Sequence, residues 1–291
     1  MPWPSFFKKM GDVMKKKLRL ILTVALAAVL VVSLAAIVRV QLQYRGNAAS
    51  YEDAARVARF EPPEPAAEQS AQPEPSDGPD TGEAAGDPLR EALEGIDLAA
   101  LQAVNPDVVG WIYIPDTPLS YPLLYGADNS FYLTHTWNRA YNSGGSIFID
   151  CRCSPGLDAF HTVIYGHRMN NDSMFGALRH YRDQDFWREH PTIYVVDGSG
   201  VHLYDIFAAW EAGVTSIVYE MDLGTPQRQQ EFLDTCLSKS WLDTGITPDT
   251  EDRFLTLSTC TASGGRATRW VVHGVLTQTY DIPEAEPPPA A

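Results

Sequence analysis

Four cysteines in 291 residues are too few for a disulfide-dense scaffold. Cys151 and Cys153 stand two apart at what reads as a strand end, so their side chains share a face like half of a metal site. No second Cys or His pair with zinc spacing follows, so no metal centre and no cofactor are expected. Cys236 falls in a helical pattern from Gln227 to Trp241 and reads as core. The chain also lacks a basic excess. Its 22 Lys and Arg face 37 Asp and Glu, a net charge of −15, which argues against nucleic acid as a partner. No internal repeat is present, which argues against a solenoid.

What is present is uneven along the chain. Leu20 to Val38 is a run of 19 residues without a charge, long enough to cross a bilayer as a helix. Lys8, Lys9, Lys15, Lys16, Lys17 and Arg19 precede it, opposed by Asp12 alone. The excess of positive charge puts residues 1–19 in the cytoplasm and the rest outside. A cleaved signal peptide would have an apolar core of roughly 7–15 residues followed by small residues. Here Arg39, Gln41 and Gln43 follow, which favours a retained single-span anchor over 20–38. From Glu52 to Glu94 there are twelve Asp or Glu against three Arg, with seven prolines between Pro62 and Pro88. Residues 39–87 are therefore expected to be a disordered, acidic, Pro-rich spacer, and 281–291 a disordered tail.

Residues 88–280 have the size of one ordinary domain. Leu89 to Ala103 has helical periodicity ended by Asn105-Pro106. Eight short apolar or alternating runs follow: Val108–Ile114, Tyr121–Leu124, Ser146–Ile149, Thr162–Tyr165, Thr192–Val196, Val201–Trp210, Phe254–Cys260 and Trp270–Thr277. Strands at this spacing predict a mainly β fold closing into a barrel. Helices are expected over Ser173–Arg188 and Thr225–Trp241, the second lying between the sixth and seventh strands, with Thr225-Pro226 as its start signal.

Arg253-Phe254-Leu255-Thr256-Leu257-Ser258-Thr259-Cys260 carries a lone cysteine to a strand tip, and Arg269 opens the next run. A thiol and a guanidinium at the mouths of successive strands suit acyl transfer, while a buried structural thiol is the competing reading. A thiolate nucleophile needs a His or a positive neighbour. Of seven histidines, His180 and His190 read as solvated, His202 and His273 as satisfied strand residues, His135 as a groove residue and His161 as exposed before a strand. His167 follows Thr162-Val163-Ile164-Tyr165-Gly166 and begins a polar loop, where a rigid sheet would hold it open to substrate. Chain order alone does not select the partner, because pairing is spatial.

These residues resemble the sortases, membrane-anchored cysteine transpeptidases of Gram-positive bacteria, and among them class B. The resemblance rests on Val109-Gly110-Trp111-Ile112-Tyr113-Ile114-Pro115, Asp128-Asn129-Ser130-Phe131-Tyr132-Leu133, Ser146-Ile147-Phe148-Ile149-Asp150, Thr162 to His167 with Met174-Phe175, and Thr256-Leu257-Ser258-Thr259-Cys260. It spans about Leu89 to Thr279. It implies an eight-stranded sortase-type barrel in an extracellular domain anchored by one membrane span. Cys260 would be the nucleophile, His167 its partner and Arg269 the catalytic arginine, with Arg266 as the competitor. Ser258, Leu133, Asn129 and the Val214–Asp222 loop with Tyr219 would wall the peptide groove. The loop Thr261 to Thr268 is small, Gly-rich and uncharged apart from Arg266, a departure from many class B members.

The implied substrate is a secreted protein with a C-terminal signal resembling Asn-Pro-X-Thr-X. It would be cleaved after Thr through a thioester and passed to an amine of a peptidoglycan precursor or a pilin. The rival enzymes, L,D-transpeptidases and papain-like peptidoglycan hydrolases, also use Cys and His. The former would show a Gly-Cys motif close after a His, whereas Leu257-Ser258-Thr259 precedes this cysteine. A non-catalytic scaffold for wall proteins is the rival from another class, and the joint presence of Cys260, His167 and an Arg argues against it.

Overall fold

The computed structural model describes residues 4–63, 87–260 and 267–281. Arg266, residues 64–86 of the expected spacer and residues 282–291 of the expected tail lie outside them. The chain divides into two units, Met1–Gly46 and Asn47–Ala291.

The first unit belongs to α1 (Pro4–Ala58). Its apolar run is solvent-exposed and long enough to cross a membrane, with a mean hydropathy of 2.9 over its best 18-residue window.

The second unit is built on eight strands: β1 (Val108–Tyr113), β2 (Ser120–Tyr125), β3 (Ile147–Ile149), β4 (His161–Tyr165), β5 (Thr192–Asp197), β6 (Gly200–Gly213), β7 (Phe254–Cys260) and β8 (Thr268–Asp281). They close into a barrel in the order β1-β2-β3-β4-β7-β8-β6-β5. The pairs β2–β3 and β4–β7 are parallel, and the other six are antiparallel. All eight expected strands are present. Closure removes the open strand edges that such a sheet would otherwise expose. Trp111, Leu123, Phe148, Ile164, Val195 and Leu257 are among the buried residues of its core.

The helical expectations need correction. Leu89–Ala103 is two helices, α2 (Pro88–Glu94) and α3 (Leu98–Val104). Gly95 ends the first, and the Asp97 carboxylate accepts from the Ala100 N–H to start the second, so a local cap outcompetes the longer periodicity. Ser173–Arg188 is a 3-10 segment, Gly176–Arg182, followed by α4 (Gln184–Glu189). Asp183 is extended between them, with its side chain capping α4. α5 (Pro226–Lys239) starts where expected, with Thr225 Oγ1 accepting from the Arg228 N–H. Its Phe232, Leu233 and Cys236 pack with Phe207, Trp210 and Phe254 in a second core.

The spacer expected over 39–87 does not begin at residue 39. α1 continues to Ala58, and Tyr51, Ala54, Ala58 and Phe60 are buried in the main core. The first three recur at helical spacing on one face, and the prolines begin only at Pro62. The acidic, Pro-rich composition therefore belongs to the later part of the stretch. Tyr51 donates to Gly145 O at 2.6 Å, Trp137 Nε1 donates to Ser50 O at 2.8 Å, and Phe60 packs edge-on against Trp111. A chain beginning at residue 88 is thus expected to be less stable than one beginning at 47 by more than about 4 kcal/mol, the cost of losing one large core aromatic with its neighbours. Equal urea midpoints for the two would refute this.

Candidate active site

Three strand ends meet at one level of the barrel. β4 and β7 are parallel with Tyr165 opposite Ser258, and the Gly166 N–H donates to Ser258 O at 3.2 Å. Extending that register by two residues brings His167 level with Cys260. On the other side β8 runs antiparallel with Arg269 opposite Cys260. Adjacent strands lie about 4.8 Å apart, so the backbone alone carries the three residues to neighbouring positions.

Each flanking residue is held. A Cβ at Gly166 would lie 2.5 Å from Ile147 Cδ1 and 2.7 Å from the Phe175 ring, so only glycine lets β4 end this tightly packed. His167 Nε2 lies 2.7 Å from Leu133 O. A carbonyl only accepts, so Nε2 carries the proton and Nδ1 is the nitrogen left for exchange. Arg269 Nη1 donates to Thr268 O at 2.9 Å.

A cleft of about 400 Å³ gathers His167 and Arg269 with Asn129, Leu133, Tyr219 and Ser258, the four residues expected to wall a peptide groove. Tyr219 ends a 3-10 turn in the β6–β7 connection, and its hydroxyl lies 2.9 Å from Ser258 Oγ. Asn129 Oδ1 accepts from the Cys151 N–H at 2.8 Å, tying the β2–β3 connection to the turn after β3. Leu133 is 40% exposed at the end of another 3-10 turn, which leaves an apolar surface for a ligand.

Val214, from the loop expected to wall the groove, and Gly166 also line the cleft, together with four residues to which the sequence assigns no role in the site: Phe148, Arg152, Tyr165 and Thr259. The signal for Arg152 is a charge three residues beyond a buried strand and two beyond Asp150. Asp150 is fully buried. Burial alone would raise its carboxyl, but hydrogen bonds from Arg152, Asn129 and Tyr165 pull it down to about 2. Burial and the Asp150 charge in turn push the Tyr165 hydroxyl up.

The other candidates separate from this site. Cys151 and Cys153 lie in the turn beyond β3 as free thiols, with Cys153 Sγ against Met221 Sδ at 3.4 Å. Cys236 is buried in α5, as expected of a core residue, and burial raises its thiol. His135 stacks on Phe131 with ring centroids 4.0 Å apart. His202 is held between Asp197 and Thr279. His180 contacts Asp172, whereas His190 is half-buried and donates to Pro115 O instead of being solvated. His161 is buried rather than exposed, with Nε2 2.7 Å from Thr256 Oγ1. Phe232 of α5 packs against its ring with centroids 4.5 Å apart, a contact the local sequence around His161 does not reveal.

A closed eight-stranded barrel carrying Cys, His and Arg at the ends of three adjacent strands defines a class, the barrel-borne cysteine transpeptidases. Residues 112–277 match the family model of the Sortase domain. The chain belongs to the sortase family, and its relatives put it in class B. It is 35% identical over 181 residues to the sortase B of Listeria monocytogenes, covering 62% of this chain and 74% of that protein. The Staphylococcus aureus sortase B–substrate complex superposes with a TM-score of 0.59 at 31% identity, covering 62% of this chain and 84% of that one. The structure of sortase B complexed with triglycine gives 0.58 at 31% identity, covering 62% and 85%. The protein is therefore an enzyme, a cysteine transpeptidase of this family.

Proposed function

We propose that this protein cleaves a C-terminal sorting signal resembling Asn-Pro-X-Thr-X after its Thr and transfers the new C-terminus to an amine of the cell wall or of a pilin. The reading is supported chiefly by the shared level of His167, two residues beyond β4, with Cys260 on β7 and Arg269 on β8. The related structures with a substrate and with triglycine supply the chemical classes of donor and acceptor.

In this mechanism the Cys260 thiolate attacks the Thr carbonyl carbon, and the carbonyl oxygen becomes an oxyanion facing the Arg269 guanidinium. The His167 imidazolium gives its Nδ1 proton to the departing amide nitrogen while Nε2–H keeps its bond to Leu133 O. Collapse of the tetrahedral centre breaks the C–N bond and leaves a thioester. The acceptor amine then attacks that thioester, His167 takes the amine proton at Nδ1, and the thiolate leaves. Ser258, Tyr219, Asn129 and Leu133 position the signal peptide along the cleft. Leu20–Val38 spans the membrane, with the basic N-terminus inside and the catalytic domain outside.

The test is covalent capture. Full-length protein in detergent is mixed with a peptide carrying such a signal and no amine acceptor, and its intact mass is measured. The expected product is protein plus the peptide portion ending at Thr, released on adding an amine. If signals beginning with Asn, Ser or Pro all leave the mass unchanged, the reading fails. Family membership sets aside the L,D-transpeptidase and papain-like alternatives.

A further inference from the structure

The cleft is cationic in a strongly acidic chain. The net charge is −15, yet the permanently charged side chains that line the cleft are Arg152 and Arg269, and among the described residues no carboxylate lines it. The nearby Asp150 carboxylate is fully buried, and its oxygens are already occupied. Oδ1 accepts from Arg152 Nε at 2.9 Å and from the Arg152 N–H at 3.0 Å. Oδ2 accepts from Arg152 Nη2 at 2.5 Å and from the Tyr165 hydroxyl at 2.9 Å.

This arrangement fixes how the guanidinium faces the cleft. Its Nε and Nη2 protons point at Asp150, so the plane of the group turns its far edge, Nη1 with the second Nη2 proton, away from that carboxylate. The Arg152 side chain is 51% exposed, and besides Asp150 only the Tyr165 hydroxyl among the described residues interacts with its guanidinium. Two parallel N–H donors on a rigid, pre-oriented fork match the two oxygens of a second carboxylate. A purely structural counter-ion for Asp150 would need only the edge already used.

We infer that Arg152 is a specificity-determining residue that binds a free carboxylate in the cleft, carried either by an acidic residue of the sorting signal or by the acceptor that bears the amine. The inference rests on the transpeptidase reading above and adds the charge of the ligand to it. A carboxylate on the signal would be felt when the thioester forms, and one on the acceptor when the thioester is resolved.

The two steps provide the two arms of the experiment on the full-length protein. In the first, signal peptides differing only as Glu against Gln, at the residue between Pro and Thr and then at the residue after Thr, are compared by kcat/KM for acylation. In the second, triglycine is compared with triglycinamide as acceptor for the preformed thioester. The expected result is a preference of about tenfold for the carboxylate form in one arm, the scale of one charge-assisted pair. Arg152→Gln should lose that preference, and Arg152→Lys should retain part of it. Because Arg152→Gln leaves Asp150 buried without its partner, the double variant Asp150→Asn/Arg152→Gln provides a second, charge-balanced test. The readout is the ratio within each pair, because a merely structural role lowers both members equally. A ratio near one in the wild type in both arms overturns the inference, as does a preference that survives in both Gln variants. Failure of every signal to form a thioester overturns the transpeptidase reading and this inference with it.

Discussion

Replacing Cys260 by alanine is expected to abolish the acyl-enzyme and lower turnover of a signal peptide by at least about 10⁴-fold, because no other group can form the thioester. Peptide affinity should change little, since Ser258, Tyr219 and Leu133 remain in the cleft. Intact mass and fluorescence anisotropy with the same peptide separate the two effects. The flanking arginine should behave differently. Arg269→Ala is expected to lower kcat by about 10²–10³-fold, the range for loss of one oxyanion donor. Arg269→Lys should recover only part of that, because an ammonium does not reproduce the guanidinium fork. We propose Arg269 rather than Arg266 for this role because the β7–β8 register sets it opposite Cys260. A larger loss from Arg266→Ala than from Arg269→Ala would overturn that assignment.

The fold is expected to lose stability in mild acid through a buried polar chain behind the site. Trp210 Nε1 donates to His273 Nε2 at 2.8 Å. An indole only donates, so His273 is neutral and its Nδ1–H donates to Thr256 Oγ1 at 2.8 Å. The Thr256 hydroxyl is then free to donate to His161 Nε2 at 2.7 Å. Burial holds His161 down to about 3, and burial together with His161 lowers His273 as well. Above pH 6.5 both folded and unfolded chains carry these rings neutral, and stability does not depend on them. As pH falls below 6.5 the unfolded chain takes up protons that the fold refuses, so stability declines. For His161 alone the loss by pH 4.5 is about 2.7 kcal/mol, at about 1.36 kcal/mol per unit, and His273 adds in the same direction. That is a large part of the roughly 5–15 kcal/mol holding a domain together. Urea midpoints between pH 7.5 and 4.5 measure it. His161→Gln should flatten the slope, and an unchanged slope would refute the assignment. Thr256→Val should cost about 2–4 kcal/mol at neutral pH by leaving two buried ring nitrogens without a partner.

Much of the site was legible because strands deliver residues by simple rules. Cys260 ends an apolar alternating run and Arg269 lies at the start of the next, so an antiparallel pair with a short connection brings them opposite each other whatever the rest of the barrel does. At Gly166 the backbone is closely approached by Ile147 and Phe175. His167 was harder to select, because its level beside Cys260 depends on the parallel pairing of β4 with β7, two strands far apart in sequence. His161 departs from its expected exposure for a related reason. Its neighbours on α5 and β8 are distant in the chain, and a residue just before an apolar run looks exposed until a helix covers it.

By itself the sequence determined the strands, the apolar run near the N-terminus, the thiol at a strand tip and the excess of acid, because each depends on residues close together in the chain. Only the tertiary structure decided which histidine stands beside Cys260, that Tyr51 and Phe60 belong to the core rather than to a spacer, and that Arg152 is locked by Asp150 with its far edge turned away from that carboxylate. The first depends on which strands become neighbours when the barrel closes, the second on where a helix docks against the barrel, and the third on the burial of Asp150 within it; such long-range choices are not encoded in local periodicity.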